Sequence, residues 1–280
     1  MTGHSAITLA GVIGNPIGHS LSPAVHGFWL RLYGVRGHYV PMQIAPEDVA
    51  QVLRALPKAG FSGCNVTIPH KEAVFAIADV ITDRAAKIGA ANTLTFQPDG
   101  SIHADNTDGY GFLANLRDGA PSWQAQAGPA AVLGAGGAAR AIVVSLLDAG
   151  VPELRIANRT RARADALRDE FGDRVCPYDW DNVGPMLADV ATLVNTSSLG
   201  MAGGGGDYVV PMQALPVTAV VTDCVYTPLI TPFLAAAAAR GCTVVDGLGM
   251  LLHQAVPGFE RWFGHTPQVT PALRQTVLGQ

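Results

Sequence analysis

The stretch NVTIPHKEAV, residues 65–74, holds one of only three lysines in 280 residues. Apolar Ala73, Val74 and Ile77, with Pro69 just upstream, predict a strand ending and a helix starting at about His70. Lys71 therefore stands at the positive end of a helix dipole, where a cation costs about 0.3–1 kcal/mol in surface geometry. A lysine there either covers apolar surface with its stem or does chemistry. Three further stretches, GNPIGHSLSP, NVTIPHK and ANT…DNTDGYG, are rich in small hydroxyl and amide side chains and follow predicted strands. Doubly wound sheets bind ligands beyond the carboxyl ends of their strands. Ser20, Ser22, Asn65, Thr67, Asn92 and Asp108 would then line a neutral, donor-rich pocket for a small polyhydroxylated molecule, with one cation and one carboxylate in it. Taken singly, each also has a structural role open to it: Ser22 and Asp108 as helix caps, Asn65 and Asn92 as turn residues.

A second constellation lies in AAVLGAGGAARAIVVSLL, where Gly134, Gly136 and Ala139 form G-x-G-x-x-A between a strand and a helix. Glycines there permit a tight turn and close approach of the backbone to a pyrophosphate, which rests on the helix N-terminus. An acidic residue at the end of the next strand would bond a ribose 2′-hydroxyl and repel a 2′-phosphate. This chain has ANRTRAR there. Asn158, Arg159, Thr160 and Arg163 offer donors and cations but no carboxylate, which favours NADP(H) over NAD(H).

The elements that must position these groups alternate strand and helix almost throughout, the pattern of parallel sheets covered by helices. ITLAGVIG reads as a strand. SPAVHGFWLRLYG reads as a helix with Ser22 as N-cap, Pro23 first, Gly34 as stop, and a core face of Val25, Phe28, Trp29 and Leu32. HYVPMQI and GCNVTIP are strands around the helix PEDVAQVLRAL, and ANTLTFQPDGSIHADN is a hairpin turning at Pro98, Asp99 and Gly100. After Asp108 comes the helix YGFLANLRDG, then a Pro/Gly-bearing stretch, GAPSWQAQAGP, whose composition shifts as at a linker. The domain change is placed near it, with 1–107 and 247–280 as a substrate domain and 108–246 as a Rossmann-like nucleotide domain. In the latter, AAVLG, LRIAN and segments near 190–195, 219–223 and 243–246 are strands, with helices to about Leu147 and over 160–171. The last segment is two helices without a new strand, a tail expected to return to the first domain. GGGG at 203–206 reads as a mobile loop.

The composition, 49% hydrophobic and 14% charged with 32 glycines, suits an α/β enzyme with many tight turns. A net charge of −4, with no basic block beyond Arg159–Arg168, argues against nucleic-acid or anionic-membrane partners. Cys64, Cys176, Cys224 and Cys242 show no paired spacing, so neither a metal site nor a disulfide frame is suggested, and a reducing cytoplasm is expected. The start of the chain has no basic region followed by a long apolar core, and no apolar stretch reaches spanning length.

The ordered series GNPIGHSLSPAVH, NVTIPHKEA, GAANTL, DNTDGYGF, GAGGAAR, NRT, NTSSLGM, TPLITPFL and DGLGMLLHQA resembles the shikimate dehydrogenase family over essentially the full length. The resemblance implies reversible, NADP-dependent reduction of 3-dehydroshikimate to shikimate, by a monomer or homodimer. It implies Lys71 and Asp108 as the catalytic pair, Ser20, Ser22, Asn65, Thr67, Asn92 and Gln254 as substrate residues, and Tyr226 beside the substrate. It implies cofactor contacts from Gly134, Ala135, Gly136, Gly137, Ala138, Asn158, Arg159, Thr160, Arg163, Asn195 and Thr196, with Gly247 and Met250 flanking the nicotinamide. Gly27 after His26, the GGGG run and Cys224 depart from the family pattern. They leave open a quinate/shikimate enzyme or a relative acting on another cyclohexene acid.

Overall fold

The computed structural model describes residues 7–200 and 209–279, so the GGGG run and Met201 of NTSSLGM lie outside the described residues. Two compact units are present, one formed by residues up to Thr107 and from Leu251 onwards, the other by Asp108–Met250.

The first unit is built on β1 (Thr8–Gly14), β2 (Gly37–Gln43), β3 (Phe61–Val66), β4 (Val80–Ile81), β5 (Thr93–Phe96) and β6 (Ile102–Asp105). These form one sheet in the order β2-β1-β3-β5-β6-β4. β1 pairs parallel with both β2 and β3, whereas β5 pairs antiparallel with β3 and β6. The β5–β6 hairpin closes where expected: Gly100 takes φ 86° and its N–H donates to Gln97 O at 2.9 Å. One side of the sheet meets α2 (Val49–Ala55) and α3 (Lys71–Ile77) over Ile13, Leu53, Cys64, Val66, Val74 and Leu94. α4 (Asp83–Ile88) is capped by Thr82, whose hydroxyl accepts from Ala85 N–H.

α1 (Ser22–Leu32) corrects the expected cap. Leu21 is the N-cap residue, and the Ser20 hydroxyl accepts the Ser22 N–H at 3.3 Å. Leu21 already has near-helical angles (φ −84°, ψ −5°), so the turn begins one residue early and frees the Ser22 side chain for other work. The core face differs too. Leu32 is 55% exposed, while His26 is fully buried and stacks on Tyr39 with ring centroids 3.8 Å apart. Burial lowers the His26 pKa to about 3, so the ring is neutral. Its other aromatic neighbours are Trp29 from α1 and Phe259 and Trp262 from α10 (Leu248–Phe263), which runs from one unit into the other. The tail is therefore part of the first unit's packing. Trp262 Nε1 donates to Leu94 O at 3.0 Å, and Trp29 Nε1 to Gln268 O at 3.0 Å just ahead of α11 (Pro271–Leu278). A Cβ on Gly63 would collide with the Trp262 indole and the Leu94 carbonyl, so the strand is bare where the indole lies on it.

The second unit opens with α5 (Asp108–Gly119), and its sheet comprises β7 (Ala130–Leu133), β8 (Leu154–Ala157), β9 (Val175–Tyr178), β10 (Thr192–Asn195), β11 (Val220–Asp223) and β12 (Thr243–Val245). The order is β12-β11-β10-β7-β8-β9 and every pairing is parallel. This is the doubly wound arrangement whose strand order reverses between β7 and β10. All four residues of β7 are buried. Ala130 and Val132 face a layer containing α5 and α6 (Gly137–Asp148), and Ala131 and Leu133 face one with α8 (Val183–Met186) and α9 (Pro232–Ala239). Such two-sided burial explains the unbroken apolar reading of this strand. α7 (Arg161–Phe171) connects β8 to β9. The linker-like stretch after α5 belongs to this unit, with Trp123 Nε1 donating to Thr192 Oγ1 at 2.9 Å. Among the described residues no helix is long and apolar enough to cross a membrane.

Candidate active site

In the first unit three of the substrate residues expected from sequence, Asn65, Asn92 and Gln254, are joined by one run of hydrogen bonds, and Ser20 and Ser22 are joined to each other. Ser20 Oγ accepts from Ser22 N–H at 3.3 Å. Tyr39 donates to Asn65 Oδ1 at 2.7 Å, and Asn65 Nδ2 donates to Asn92 O and Thr93 Oγ1, both at 3.2 Å. Asn92 Oδ1 accepts the Thr107 N–H at 2.8 Å, and Asn92 Nδ2 donates to Gln254 Oε1 at 3.3 Å. Thr107 also donates its hydroxyl to Gln254 O at 2.9 Å, tying the β6 end to α10. Asn65 and Asn92 are nearly inaccessible, and such buried amides hold a fixed orientation when their donors and acceptors are matched.

Lys71 is the first residue of α3 and is half-buried, and its carbonyl accepts the Ala91 N–H at 3.0 Å. Asp108, buried, begins α5 directly after Thr107. The backbone at Lys71 thus reaches the residue before Asn92, and Thr107, the residue before Asp108, reaches the Asn92 side chain. Thr67 is held by its backbone, donating to Ile13 O at 2.9 Å and accepting from His70 N–H at 3.0 Å. Tyr226 lies in the second unit, where burial raises its phenol pKa.

The nucleotide loop occupies the β7–β10 switch point. Gly134 has φ 109°, a left-handed conformation, and a Cβ there would stand 2.6 Å from Thr196 Oγ1. Thr196 in turn donates its hydroxyl to Leu133 O at 2.8 Å, fixing the ends of β7 and β10 side by side. Gly136 precedes α6 with no side-chain cap, and a Cβ on Gly136 or Gly137 would meet no protein atom within 4 Å. Open space over an uncapped helix N-terminus fits a pyrophosphate. Ala135 and Ala138 flank this turn half-buried, and Ala139 packs fully buried against the sheet. At the end of β8, Asn158 Nδ2 donates to Thr160 O at 2.9 Å, while Arg159, Thr160 and Arg163 are exposed. Among the described residues Arg159 and Arg163 make no ion pair, whereas Arg161 is held by Asp165 at 2.8 Å and Asp179 at 2.7 Å. Two uncommitted guanidiniums beside a carboxylate-free strand end fit a 2′-phosphate. Met250 packs half-buried on the core beneath α5 and α6.

The sequence pointed to Ser20, Asn65 and Asn92 but missed Tyr39, the buried hydroxyl that donates to Asn65. Nothing in spacing links it to a residue 26 positions after. Thr93 and Thr107 had a signal, because both lie in the hydroxyl- and amide-rich stretches.

Comparison with known proteins identifies the family and supports the fold. Residues 12–94 match the model of the shikimate dehydrogenase substrate binding domain, 122–198 that of shikimate/quinate 5-dehydrogenase, and 247–278 that of the shikimate 5′-dehydrogenase C-terminal domain. The NADP(+) shikimate dehydrogenase of Cereibacter sphaeroides is 63% identical over 278 residues, 99% of each chain. The chain belongs to the shikimate dehydrogenase family. Among solved structures, the shikimate 5-dehydrogenase of Thermus thermophilus in complex with NADP(H) and shikimate superposes with a TM-score of 0.86 at 36% identity, covering 98% of this chain and 99% of that one. The quinate dehydrogenase of Corynebacterium glutamicum in complex with NAD gives 0.88 at 30% identity, covering 98% and 99%.

Proposed function

We propose that the chain is an NADP-dependent shikimate dehydrogenase, catalysing reversible reduction of 3-dehydroshikimate to shikimate in chorismate and aromatic amino-acid biosynthesis. The observation that carries this reading is the convergence on Asn92: the Lys71 backbone through Ala91, the Thr107 that leads into Asp108, and Gln254 from α10. When bound, NADPH supplies the hydride. Lys71 stabilises the charge that develops on the substrate oxygen and gives it a proton; in the oxidation it takes that proton back. Asp108 keeps the lysine oriented and accepts from a substrate hydroxyl. The hydroxyls of Ser20 and Ser22 take the carboxylate, and Asn65, Thr67, Asn92, Tyr226 and Gln254 read the ring hydroxyls. A cytoplasmic setting is supported by four cysteines that are all free thiols.

The deciding experiment crosses shikimate and quinate with NADP+ and NAD+ and follows the absorbance of the reduced nicotinamide. The highest kcat/KM is expected for shikimate with NADP+. A hydroxyl-reading pocket can discriminate by about 10⁴–10⁵, so a preference for quinate, or equal use of the two cofactors, would overturn the reading.

Two substitutions probe the recognition residues. Arg163→Ala, or Arg159→Ala, raises KM for NADP+ about tenfold and leaves KM for NAD+ unchanged, as loss of a charge-assisted bond to phosphate requires; parallel loss with both cofactors would remove that arginine from phosphate recognition. Ser22→Ala raises KM for shikimate about tenfold with little change in kcat, since a hydrogen bond to a charged group is lost. An unaltered KM would count against carboxylate binding there.

A further inference from the structure

A doubly wound sheet is two mononucleotide halves side by side. Arg159, Thr160 and Arg163 belong to the half built on β7, β8 and β9. The other half, on β10, β11 and β12, holds a carboxylate at its strand ends that no role above uses. Asp223, the last residue of β11, is 1% exposed. Its Oδ1 accepts from Asn195 Nδ2 and Val225 N–H, each at 2.9 Å, and its Oδ2 accepts from the Thr231 hydroxyl at 2.7 Å.

Each donor leads into a different loop. Asn195 receives the Ser197 N–H at 3.1 Å and hydroxyl at 2.6 Å on its own Oδ1, and gives its second amide hydrogen to Leu199 O at 3.3 Å. Its amide is therefore committed to shaping the turn after β10. Val225 begins the turn that carries Tyr226. Thr231 accepts from Leu234 N–H at 3.2 Å and caps α9. A fourth segment leans on the same turn: a Cβ on Gly247 would stand 2.6 Å from Asp223 O and 2.7 Å from Val225 O, so the entry to α10 packs directly on this backbone.

A buried carboxylate that among the described residues has no ion-pair partner is costly to keep charged, and burial pushes Asp223 up to about 6 despite its three donors. Ordinary packing would be served as well by a smaller neutral residue. We propose that Asp223 is a positioning residue for the nicotinamide half of the cofactor site, its carboxylate holding the Ser197–Leu199 loop, the Val225–Tyr226 turn and the start of α9 in register. This rests on the cofactor assignment above.

The test uses the full chain with Asp223→Asn, which keeps size but turns an NH2 group against at least one of the three donors. NADPH binding is followed by nucleotide fluorescence, and binding of adenosine 2′,5′-bisphosphate, which reaches only the other half, by calorimetry. The NADPH dissociation constant is expected to rise about tenfold while that of the bisphosphate stays within about twofold. Equal weakening of both ligands, or no change in NADPH affinity, would overturn the proposal. If Asp223→Asn does not fold, Thr231→Val removes one donor and is expected to shift NADPH alone in the same direction; an unshifted constant overturns the proposal. Neither titration needs turnover. A wild-type chain that binds NADPH but leaves shikimate untouched would sink the substrate assignment and not this one, whereas one that binds no NADPH would sink both.

Discussion

Replacing Lys71 by alanine lowers kcat for shikimate by about 10²–10⁴-fold, the range that a positioned proton-transfer group supplies, and moves KM by no more than a few-fold. The split follows from where the ammonium acts. In the ground state the substrate is held by neutral donors, and only as the oxygen gains charge does a cation beside it become worth more than water. A loss spread equally over kcat and KM would make Lys71 a binding group. Unchanged turnover would remove it from the chemistry. Lys71→Arg is expected to recover little, because a planar guanidinium neither gives up its proton nor matches the shape of an ammonium.

The second large effect concerns stability. Asp105, at the end of β6, is 1% exposed and lies 2.6 Å from Arg84 Nη2 and 2.5 Å from Arg261 Nη2, with Thr82 Oγ1 at 2.8 Å and the Asn106 N–H at 2.7 Å. One carboxylate thus joins α4 and α10 to the sheet. Asp105→Ala is expected to cost about 3 kcal/mol, the low end for breaking a buried pair, because both arginines keep a face in water. Urea unfolding measures it as a shift in midpoint at unchanged slope. Burial raises the Asp105 pKa, but the bonds from Arg84 and Arg261 outweigh it and hold the group at about 2, against about 4 in an unfolded chain. The folded value is the lower one, so this stabilisation is fully present above about pH 4 and is lost as the pH falls towards 2. The difference between wild type and Asp105→Ala should therefore shrink on acidification. A difference that stays constant from neutral pH down to 2 would mean the ion pairs contribute nothing.

These two residues mark how far the amino-acid order can be read. Lys71 stood out because it broke a local rule, a cation at the start of a short helix. Gly134 and Gly136 stood out as a glycine pattern between a strand and a helix; Gly134 takes a left-handed φ that favours glycine, while Gly136 leaves open space over the helix start. Asp105 gave no such sign: its arginines lie 21 residues upstream and 156 downstream, and no periodicity spans such distances. Asp223 gave no sign either: its donor from β10, Asn195, lies 28 residues upstream, and the nearer two, Val225 and the Thr231 cap of α9, form no pattern of their own. Helical spacing places Leu32 on the core face of α1, but the helix is rotated so that neutral His26 fills the aromatic layer and Leu32 is exposed. β4 and β9 were missed, the first being two residues long and the second containing Pro177, which is tolerated on an edge strand.

The passage of α10 from one unit to the other bears on how the polypeptide is made. Residues 108–250 interrupt the first unit, whose remaining part begins at Leu251. A nascent chain leaving the ribosome, where domains fold as units in the order they emerge, exposes the whole of its central Rossmann-like unit before Arg261 and Trp262 emerge. Until the last thirty residues appear, the strand that carries Asp105 waits for its second arginine and the bare surface at Gly63 waits for its indole. The earliest part of the message is thus the last to reach its native packing.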